Sequence, residues 1–556
     1  MSRNDQSHFS QVPHVDIQRS RFQRDSRLLT TMNAGRLIPI FVDECLPGDT
    51  VTLDTASLVR MATPIFPVMD NCFLDVYYFF VPNRLVWEHW KEFNGENNST
   101  YWTQTTEYNV PEIWCPNDGW NKGSIADYMG IPTDVKGDFS VSALPMRAYT
   151  LIWNEFFRDQ NYMAPAYFNK SDVGGSGRRY VSGIENTWDG IQSAMYGGSP
   201  LPVSKFHDYF TSVLPAPQKG EPMELPFFHD DYLPVGALNA VHDFGADSMH
   251  FGQTSENNQY AVIGDDGYLV TSNSQVAGSI APTNSPDNLW VDMTGINVGT
   301  INELRQAFQI QRLLEKDARG GTRYTEILNA HFGVTSPDAR LQRPEYLGGK
   351  RIPINVDQVI QTSATNSVSP QGNTAAFSLT TDLDSSFTKS FTEHGYLLGL
   401  CCIRTNHTYQ QGLDKMWSRR RRFDFYWPTL AHISEQPVLR QEIFMSDGDA
   451  DINEAVFGYQ EAWADYRYKP SRVSGAFRSN YAQTLDSWHY ADYYGAPNTD
   501  PFIADRDFMA ETYVNVDRTL AVQSDVEDQF LCNFYFKATW VRPMPLYSVP
   551  GLIDHF

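Results

Sequence analysis

The chain has 556 residues, 41% of them hydrophobic and 14% aromatic, which is enough apolar material for a large core and excludes wholesale disorder. Its formal charge of −23 argues against a protein whose entire surface binds nucleic acid, although it is compatible with a local basic patch. No apolar run approaches the roughly 20 residues that span a bilayer, so we expect no membrane insertion.

The N-terminal segment, residues 1–36, is predicted to be a basic arm that docks on another surface. Its six arginines oppose three aspartates, which gives +3 and leaves −26 for the rest of the chain. The segment is polar and has no clear periodicity, which is typical of an arm rather than of a core element.

Predicted strands follow the arm and return near the other end of the chain. Alternation, or enrichment in β-branched and aromatic residues, predicts strands over residues 37–42, 50–53, 72–81, 396–405, 422–427 and 532–541. One face of the last strand carries Cys532, Phe534, Phe536, Ala538 and Trp540. We expect that face to be buried, because alternate residues of a strand point to opposite sides of its sheet.

Helices and long loops are predicted mainly between these strands. Apolar spacing predicts helices over residues 84–93, 146–160, 301–321 and 322–333. Residues 243–290 and 361–375 are rich in polar and small residues, and long loops of this kind are often functional. Because strands open and close the main part of the chain, we predict a β-sandwich or jelly roll elaborated by its loops.

Motifs for catalysis or metal binding are absent or broken. There is no phosphate-binding P-loop, no HExxH and no G-x-S-x-G sequence. Asp447, Asp449 and Asp451 have the spacing of an EF-hand, but Ile452 and Gly458 stand where that loop requires glycine and glutamate. We therefore expect no enzymatic activity, no cofactor and no metal site, and we expect the six cysteines to be reduced and mostly buried.

Two basic features are candidates for contact with nucleic acid. The first is the set of arm arginines Arg19, Arg21, Arg24 and Arg27. The second is the run Arg419, Arg420, Arg421 and Arg422, flanked by Trp417, Phe423, Phe425, Tyr426 and Trp427. Arginine beside aromatic rings suits single-stranded nucleic acid, because phosphates take the charge and bases stack on the rings. The alternative for both features is ion pairing at subunit interfaces.

Several long stretches resemble the major capsid protein of gokushoviruses, which are single-stranded DNA phages of the Microviridae. They include SHFSQVPHVDIQRSRFQR at 7–24, INELRQAFQIQRLLEKDARGGTRYTEIL at 301–328, MWSRRRRFDFYWPTLAHISEQ at 416–436 and FYFKATWVRPMPLYSVPGLIDHF at 534–556. The resemblance runs from one end of the chain to the other in the same order. The segment that departs from the family pattern is residues 240–295.

The resemblance implies a mainly β fold: a single eight-stranded antiparallel jelly roll over residues 37–556, with long loop insertions that contain short helices. It implies that about sixty copies form a closed T=1 icosahedral shell around circular single-stranded DNA, with residues 1–36 facing the interior. Residues 240–295 are then a variable insertion that forms a protrusion at the threefold axes. The implied location is the virion, assembled in the host cytoplasm.

Further partners follow from the same resemblance. A small basic viral protein is expected to help condense the DNA, and a receptor on the bacterial host surface is expected to meet the protrusion. The alternative is a jelly-roll enzyme or carbohydrate-binding protein, which predicts a small oligomer with a carboxylate-lined groove. The protrusion by itself could also bind a cell-surface sugar or protein, since its polar composition suits adaptable contacts.

Overall fold

A computed structural model describes residues 17–96, 106–182, 187–221, 301–363, 365, 370–447, 450–496 and 506–547, together with four three-residue strands between 235 and 291. The strands of these residues, β1 to β20 in chain order, are Ser20–Gln23, Ser26–Met32, Ile38–Cys45, Thr50–Met61, Cys72–Pro82, Glu112–Trp114, Ser140–Ser142, Gly175–Ser176, Val235–Ala237, Ala261–Ile263, Leu269–Thr271, Leu289–Val291, Glu345–Ile354, Val356–Ile360, Thr374–Ser378, Thr380–Ser390, Gly395–Thr405, Glu435–Leu439, Val456–Glu461 and Phe530–Arg542.

The α-helices are short with one exception. Helices α1 to α11 are Asn83–Val86, Trp90–Phe93, Ile125–Tyr128, Leu144–Ile152, Trp188–Ser193, Ile301–Gly320, Tyr324–Phe332, Ala450–Glu454, Ala464–Arg467, Arg506–Met509 and Val514–Asp517. A π-turn, Trp153–Phe157, extends α4, and single 3₁₀ turns include Lys415–Trp417, Arg422–Asp424 and Pro428–Leu430. The protein is therefore mainly β, as predicted.

The chain divides into two compact units. The larger consists of residues 1–217 and 320–556, and the smaller consists of residues 218–319. The described part of the smaller unit contains most of α6 and two antiparallel strand pairs, β9 with β12 and β10 with β11. Most of residues 240–295, the predicted insertion, lie outside the described residues.

Two large antiparallel sheets make up the centre of the larger unit. One has the order β1-β20-β4-β16, with β2 also paired to β20. The other has the order β13-β5-β17-β3. The first and last described strands thus meet: Arg21 of β1 lies opposite Val541 of β20, while β20 pairs along its other edge with β4.

The core between the two sheets follows from the alternation of their strands. In β20 the five predicted inward residues, Cys532, Phe534, Phe536, Ala538 and Trp540, are all buried, which confirms the predicted face. They share one hydrophobic cluster with Leu74, Val76 and Tyr78 of β5 in the opposite sheet. Burial of each large apolar side chain in this cluster stabilises the sandwich by roughly 1.5–3 kcal/mol.

The four-stranded sheet is buried on its second face as well. Phe79 of β5 and Leu398 of β17 point away from the first core and pack against α4 and its π-turn, where Tyr149 and Trp153 are fully buried. This two-sided burial explains why β17 reads as an uninterrupted apolar run, YLLGLCC, rather than as an alternating one.

Three sequence predictions differ from the structure. Residues 20–32, assigned to the arm, form β1 and β2 on the five-stranded sheet, because Phe22 and Leu28 reach its core. Residues 84–93 are two single turns instead of one helix, since buried Trp87 is extended between them and donates to Asp172. Residues 422–427 are not a strand, because the Asp424 carboxylate binds two preceding backbone amides and closes a turn.

Two helix predictions hold in part. The helix predicted over 146–160 covers Leu144–Ile152 and then widens into the π-turn that ends at Phe157. The long helix α6 ends at Gly320, as expected, but Ile301 and Phe308 on its predicted apolar side are exposed. The loop predicted at 361–375 connects β14 and β15, which pair as a hairpin.

Candidate nucleic-acid interface

The N-terminal arginines lie along the outside of the five-stranded sheet. Arg21 of β1 is paired with Val541, and Arg27 of β2 is paired with Tyr535. Their chain neighbours Phe22 and Leu28 turn inward, so both arginine side chains turn outward and are exposed. The Arg27 Nε donates to Asn533 Oδ1 over 2.7 Å, which orients that guanidinium on the sheet.

The other two arm arginines are held by local contacts. Arg24 forms an ion pair with Asp43 at 2.7 Å and lies 5.2 Å from the centre of the Trp540 ring. The guanidinium of Arg19 lies beside the turn at Gly48. Arg21 and Arg27 are therefore the arm arginines best placed to meet a ligand. The exposed Lys537, on the same outward face of β20, adds a third cation that sequence reasoning did not identify.

The tetra-arginine run forms a compact turn. The Asp424 carboxylate accepts from the backbone amides of Arg421 and Arg420 at 2.7 and 2.8 Å, and these bonds hold the pKa of Asp424 below its usual value. The Arg422 guanidinium stacks over Trp427, 4.9 Å from the ring centre. Within this turn, three of the four arginine side chains are exposed to solvent, and the fourth, that of Arg419, is held inside.

Arg419 is a structural residue of this turn. Its guanidinium forms an ion pair with Asp465, lies 4.3 Å from the centre of the Tyr466 ring, and donates to the Asp424 carbonyl. Its side chain is 8% exposed, so it is not available to a phosphate. Arg420, Arg421 and Arg422 are exposed.

The turn also exposes an unusual amount of aromatic surface. Its exposed rings are Trp417, Phe423, Phe425, Tyr426 and Trp427. Exposed clusters of this kind mark contact surfaces, and aromatic residues with arginine are the types enriched in protein interfaces. The surface therefore suits either stacked bases or a neighbouring protein. Within the described residues, no hydrogen bond, ion pair or ring contact joins this turn to the four arm arginines.

Two buried ionic clusters were not found from the sequence. In the first, Asp75 of β5 binds Arg351 at 2.8 Å and also Arg404, from strands far apart in the chain. In the second, the His407 ring lies 3.0 Å from Asp492 and 3.0 Å from Glu511, and Lys205 lies 3.5 Å from Asp492. For the first cluster, the sequence did contain one signal. Asp75 stands inside the apolar stretch CFLDVYYFFV, and a charge buried in such a strand requires a partner of opposite charge.

The described part of the chain holds neither a metal-binding cluster nor a membrane-spanning helix. No group of three or more histidine, cysteine or acidic side chains is arranged there to hold a metal ion. The candidate EF-hand loop lies only partly in the described residues, with Ala450–Glu454 in a helix. None of the helices described is long and apolar enough to cross a membrane. The six cysteines form no disulfide, and all but Cys115 are buried.

The structure is a β-sandwich whose first and last described strands share one sheet, with exposed arginine and aromatic surfaces. Together with the lack of a metal cluster among the described residues, this fits a structural protein that meets other molecules over wide surfaces. Comparison with known proteins identifies which kind. A family model described as capsid protein (F protein) matches residues 10–552. The chain belongs to this family of phage capsid proteins.

Individual relatives cover the chain from end to end. Capsid protein VP1 of Bdellovibrio phage phiMH2K is 42% identical, and the alignment covers 100% of this chain and 99% of the relative. Capsid protein VP1 of Spiroplasma virus 4 is 40% identical, and that of Chlamydia phage 1 is 39% identical; each covers 98% of this chain and 97% of the relative. The protein is a major capsid protein of Microviridae-type phages, a virion component and not an enzyme.

Proposed function

We propose that this capsid protein forms a T=1 icosahedral shell of about sixty copies around circular single-stranded DNA. The observation that carries the proposal is the arrangement of eight long strands in two packed sheets. Membership of the capsid family and full-length similarity to three phage VP1 proteins support it. The many aromatic side chains, and 31 arginines against 12 lysines, suit a subunit that buries much of its surface against neighbours.

We further infer that the fold is the eight-stranded jelly roll of viral capsids. The supporting strands, taken as first to eighth, are β2, β3, β4, β5, β13, β16, β17 and β20. One sheet then has the order first, eighth, third, sixth, and the other has the order fifth, fourth, seventh, second. This order is produced when a long hairpin of four strand pairs is rolled into two Greek keys.

The basic arm is proposed to face the interior of the shell and contact the DNA. Outward-facing Arg21 and Arg27 support this role, because guanidinium groups bind phosphate without reading the base sequence. With a chain charge of −23, a separate small basic protein is proposed to supply most of the neutralising charge. Residues 240–295 are proposed to form a threefold protrusion that engages the bacterial host.

Electron microscopy of the purified full-length chain tests the shell proposal. We expect uniform closed particles, with light scattering that gives about sixty subunits for each particle. A reconstruction is expected to place residues 240–295 at the threefold axes and residues 17–32 on the inner surface. A stable species of only a few subunits at neutral pH and moderate salt would contradict the proposal and favour the alternative of a small ligand-binding oligomer.

Two sets of variants separate DNA binding from subunit association. We expect Arg21→Ala with Arg27→Ala to leave shell yield unchanged and to weaken binding of single-stranded DNA. The slope of log affinity against log salt should become shallower by about 0.7 for each phosphate that is no longer bound. The matched set, Arg420→Ala with Arg421→Ala and Arg422→Ala, is expected to lower shell yield if the turn lies between subunits. If the matched set weakens DNA binding at full shell yield, the turn binds DNA instead.

A further inference from the structure

The exposed turn at residues 417–427 belongs to a different side of the sandwich from the arm arginines. The hairpin beside it, β18 with β19, contributes Val438 and Phe457 to the cluster that packs on the second face of the four-stranded sheet. Arg21 and Arg27 lie instead on the outside of the five-stranded sheet. If the arm faces the enclosed DNA, the turn faces away from it, which favours a protein neighbour as its ligand.

Contacts inside the turn fix its shape. The Trp427 indole donates to the Arg422 carbonyl at 3.1 Å, and the Arg422 guanidinium stacks on the same ring. Tyr426 packs edge-on against Trp463, with ring centres 5.7 Å apart. The Trp463 indole donates in turn to the Leu430 carbonyl at 2.8 Å. A surface held in this way binds a partner at a lower entropic cost than a loop that must first be ordered.

The turn also presents enough apolar area for a large share of a subunit contact. Its five exposed rings are each 41–71% exposed and lie within eleven consecutive residues. Together they present on the order of 500 Å² of surface, whereas a stable interface takes about 800 Å² from each partner. Arg420 and Arg421 add charge beside the rings and form no ion pair among the described residues.

A surface of opposite charge lies at residues 521–527, which we call the acidic loop. Asp525 and Glu527 are exposed and form no ion pair within the described part of the chain. Val522 and Val526, in the same loop, are 37% and 76% exposed. The loop contains no lysine or arginine. It therefore combines free carboxylates with apolar side chains, and arginines beside exposed rings are complementary to both.

The acidic loop is fixed to the sandwich at a place of its own. Leu520, just before it, is buried in the core between the two large sheets, and the Ala521 amide donates to the Thr63 carbonyl at 3.0 Å. The Ser524 hydroxyl donates to the Asp517 carboxylate at 2.6 Å. No hydrogen bond, ion pair or ring contact between described residues joins the loop to the turn. The two surfaces therefore do not satisfy each other within one chain.

A closed shell requires pairs of unlike surfaces. Around a twofold axis a surface meets its own copy, whereas around a threefold or fivefold axis it meets a different surface of the next subunit. An icosahedral shell contains axes of all three kinds. Each subunit must therefore carry complementary surfaces that are separate on its own chain.

We propose that the turn of one subunit docks on the acidic loop of a second copy of this chain, around a threefold or fivefold axis of the shell. Arg420 and Arg421 pair there with Asp525 and Glu527, and the exposed rings pack against the valines of the loop. The inference rests on the proposed function, because it takes the closed shell as the assembly.

Exchange of charge between the two surfaces tests the pairing, with the yield of closed particles from the full-length chain as the readout. Arg420→Glu with Arg421→Glu is expected to lower that yield at least about tenfold, because like charges then face each other. Asp525→Arg with Glu527→Arg is expected to do the same. All four substitutions together are expected to restore the yield to within about twofold, since the attraction returns with its sign exchanged. Loss in both sets without restoration in the combined variant would overturn the pairing.

Matched controls separate this contact from general effects of charge and folding. Arg340→Glu with Arg305→Glu makes the same change of charge at exposed arginines outside both surfaces and is expected to keep full yield; an equal loss there would overturn the inference. Phe423→Ala is expected to lower the yield at about 1 M salt as well as at low salt, whereas salt should lessen the effect of charge reversal. Melting temperatures of the unassembled chains should agree within about 2 °C, because every substituted residue is exposed.

Particle imaging and DNA binding distinguish this inference from the proposed function. If the unmodified chain forms no closed particles, both fail together. If it forms them and a reconstruction leaves the turn in solvent, only the docking inference fails. Full particle yield from Arg420→Glu with Arg421→Glu, together with weaker binding of a fluorescein-labelled oligo(dT), would assign the turn to DNA and also overturn the inference.

Discussion

Replacement of Asp75 by alanine is expected to lower the free energy of unfolding by about 3–5 kcal/mol, one of the largest effects of any single substitution outside the aromatic core. Asp75 is buried between Arg351 and Arg404, and Arg404 is itself mostly buried, with a side chain 12% exposed. Burial opposes the charge on Arg404, but contacts that include the Asp75 carboxylate outweigh it and raise the pKa of Arg404. Without Asp75 the guanidinium stays charged and has no counterion.

The measurement is the urea midpoint of the full-length chain, read together with the yield of soluble protein. Asp357→Ala is the matched control, because Asp357 is exposed on β14, and it is expected to change stability by less than about 0.5 kcal/mol. A double variant, Asp75→Leu with Arg404→Met, is expected to recover most of the stability, since replacing both partners of a buried ion pair by apolar residues is often neutral. Equal stability of Asp75→Ala and Asp357→Ala would show that the cluster does not depend on its carboxylate.

The second large effect is a dependence of stability on pH that arises from His407. This ring is buried between Asp492 and Glu511, at 3.0 Å from each, and Lys205 faces Asp492 from another segment. Burial opposes protonation of the ring, but Glu511 and Asp492 outweigh burial and raise the pKa of His407 to about 9. The protonated ring donates to both carboxylates and holds them together.

The folded-state pKa of His407 lies above the value of about 6.5 expected in the unfolded chain. The contribution of His407 to the free energy of unfolding, up to about 3 kcal/mol, is therefore complete below pH 6.5 and is lost as the pH rises through about 9. Asp492 acts in the opposite sense. Although burial alone would raise its pKa, Lys205 and His407 hold the pKa well below its usual value. Its contribution is present above about pH 4 and is lost in stronger acid.

Melting temperatures of the full-length chain between pH 5.5 and pH 9.5 test this prediction. We expect His407→Gln to be less stable than the unmodified chain at pH 6 and to lose much less stability between pH 6.5 and pH 9. His432→Gln is the control, because His432 is exposed and belongs to no buried cluster. If His407→Gln and the unmodified chain decline in parallel over this range, the histidine is neutral in the folded protein and the prediction is wrong.

The strands of the sandwich could be predicted because the pattern of apolar residues along each short segment indicates which side chains are buried. In β20, every second side chain is apolar, and burial of one face follows from the geometry of any strand. The uninterrupted run in β17 likewise predicted a strand, and only the packing of α4 on its second face explained the missing alternation. The arm was harder, because β1 and β2 place only Phe22, Leu28 and Met32 toward the core and otherwise look like a polar segment.

The candidate sites were less predictable, since they depend on which side chains meet. The tetra-arginine run is visible in the sequence, but its conformation depends on Asp424, and the sequestration of Arg419 in an ion pair depends on Asp465, 46 residues away. A cleft against the second face of the four-stranded sheet is lined by residues from six segments, none of which carries a recognisable motif.

The sequence by itself determined the mainly β class, the buried face of its last strand, the absence of a catalytic motif and the resemblance to phage capsid proteins, because these depend on residue type and short-range order. Only the tertiary structure decided which arginines are exposed, how Asp75 and His407 are compensated, and where a cationic and aromatic cleft lies. Buried charges and clefts require groups that are hundreds of residues apart to come within a few ångströms, and that proximity follows from sheet order rather than from neighbouring residues.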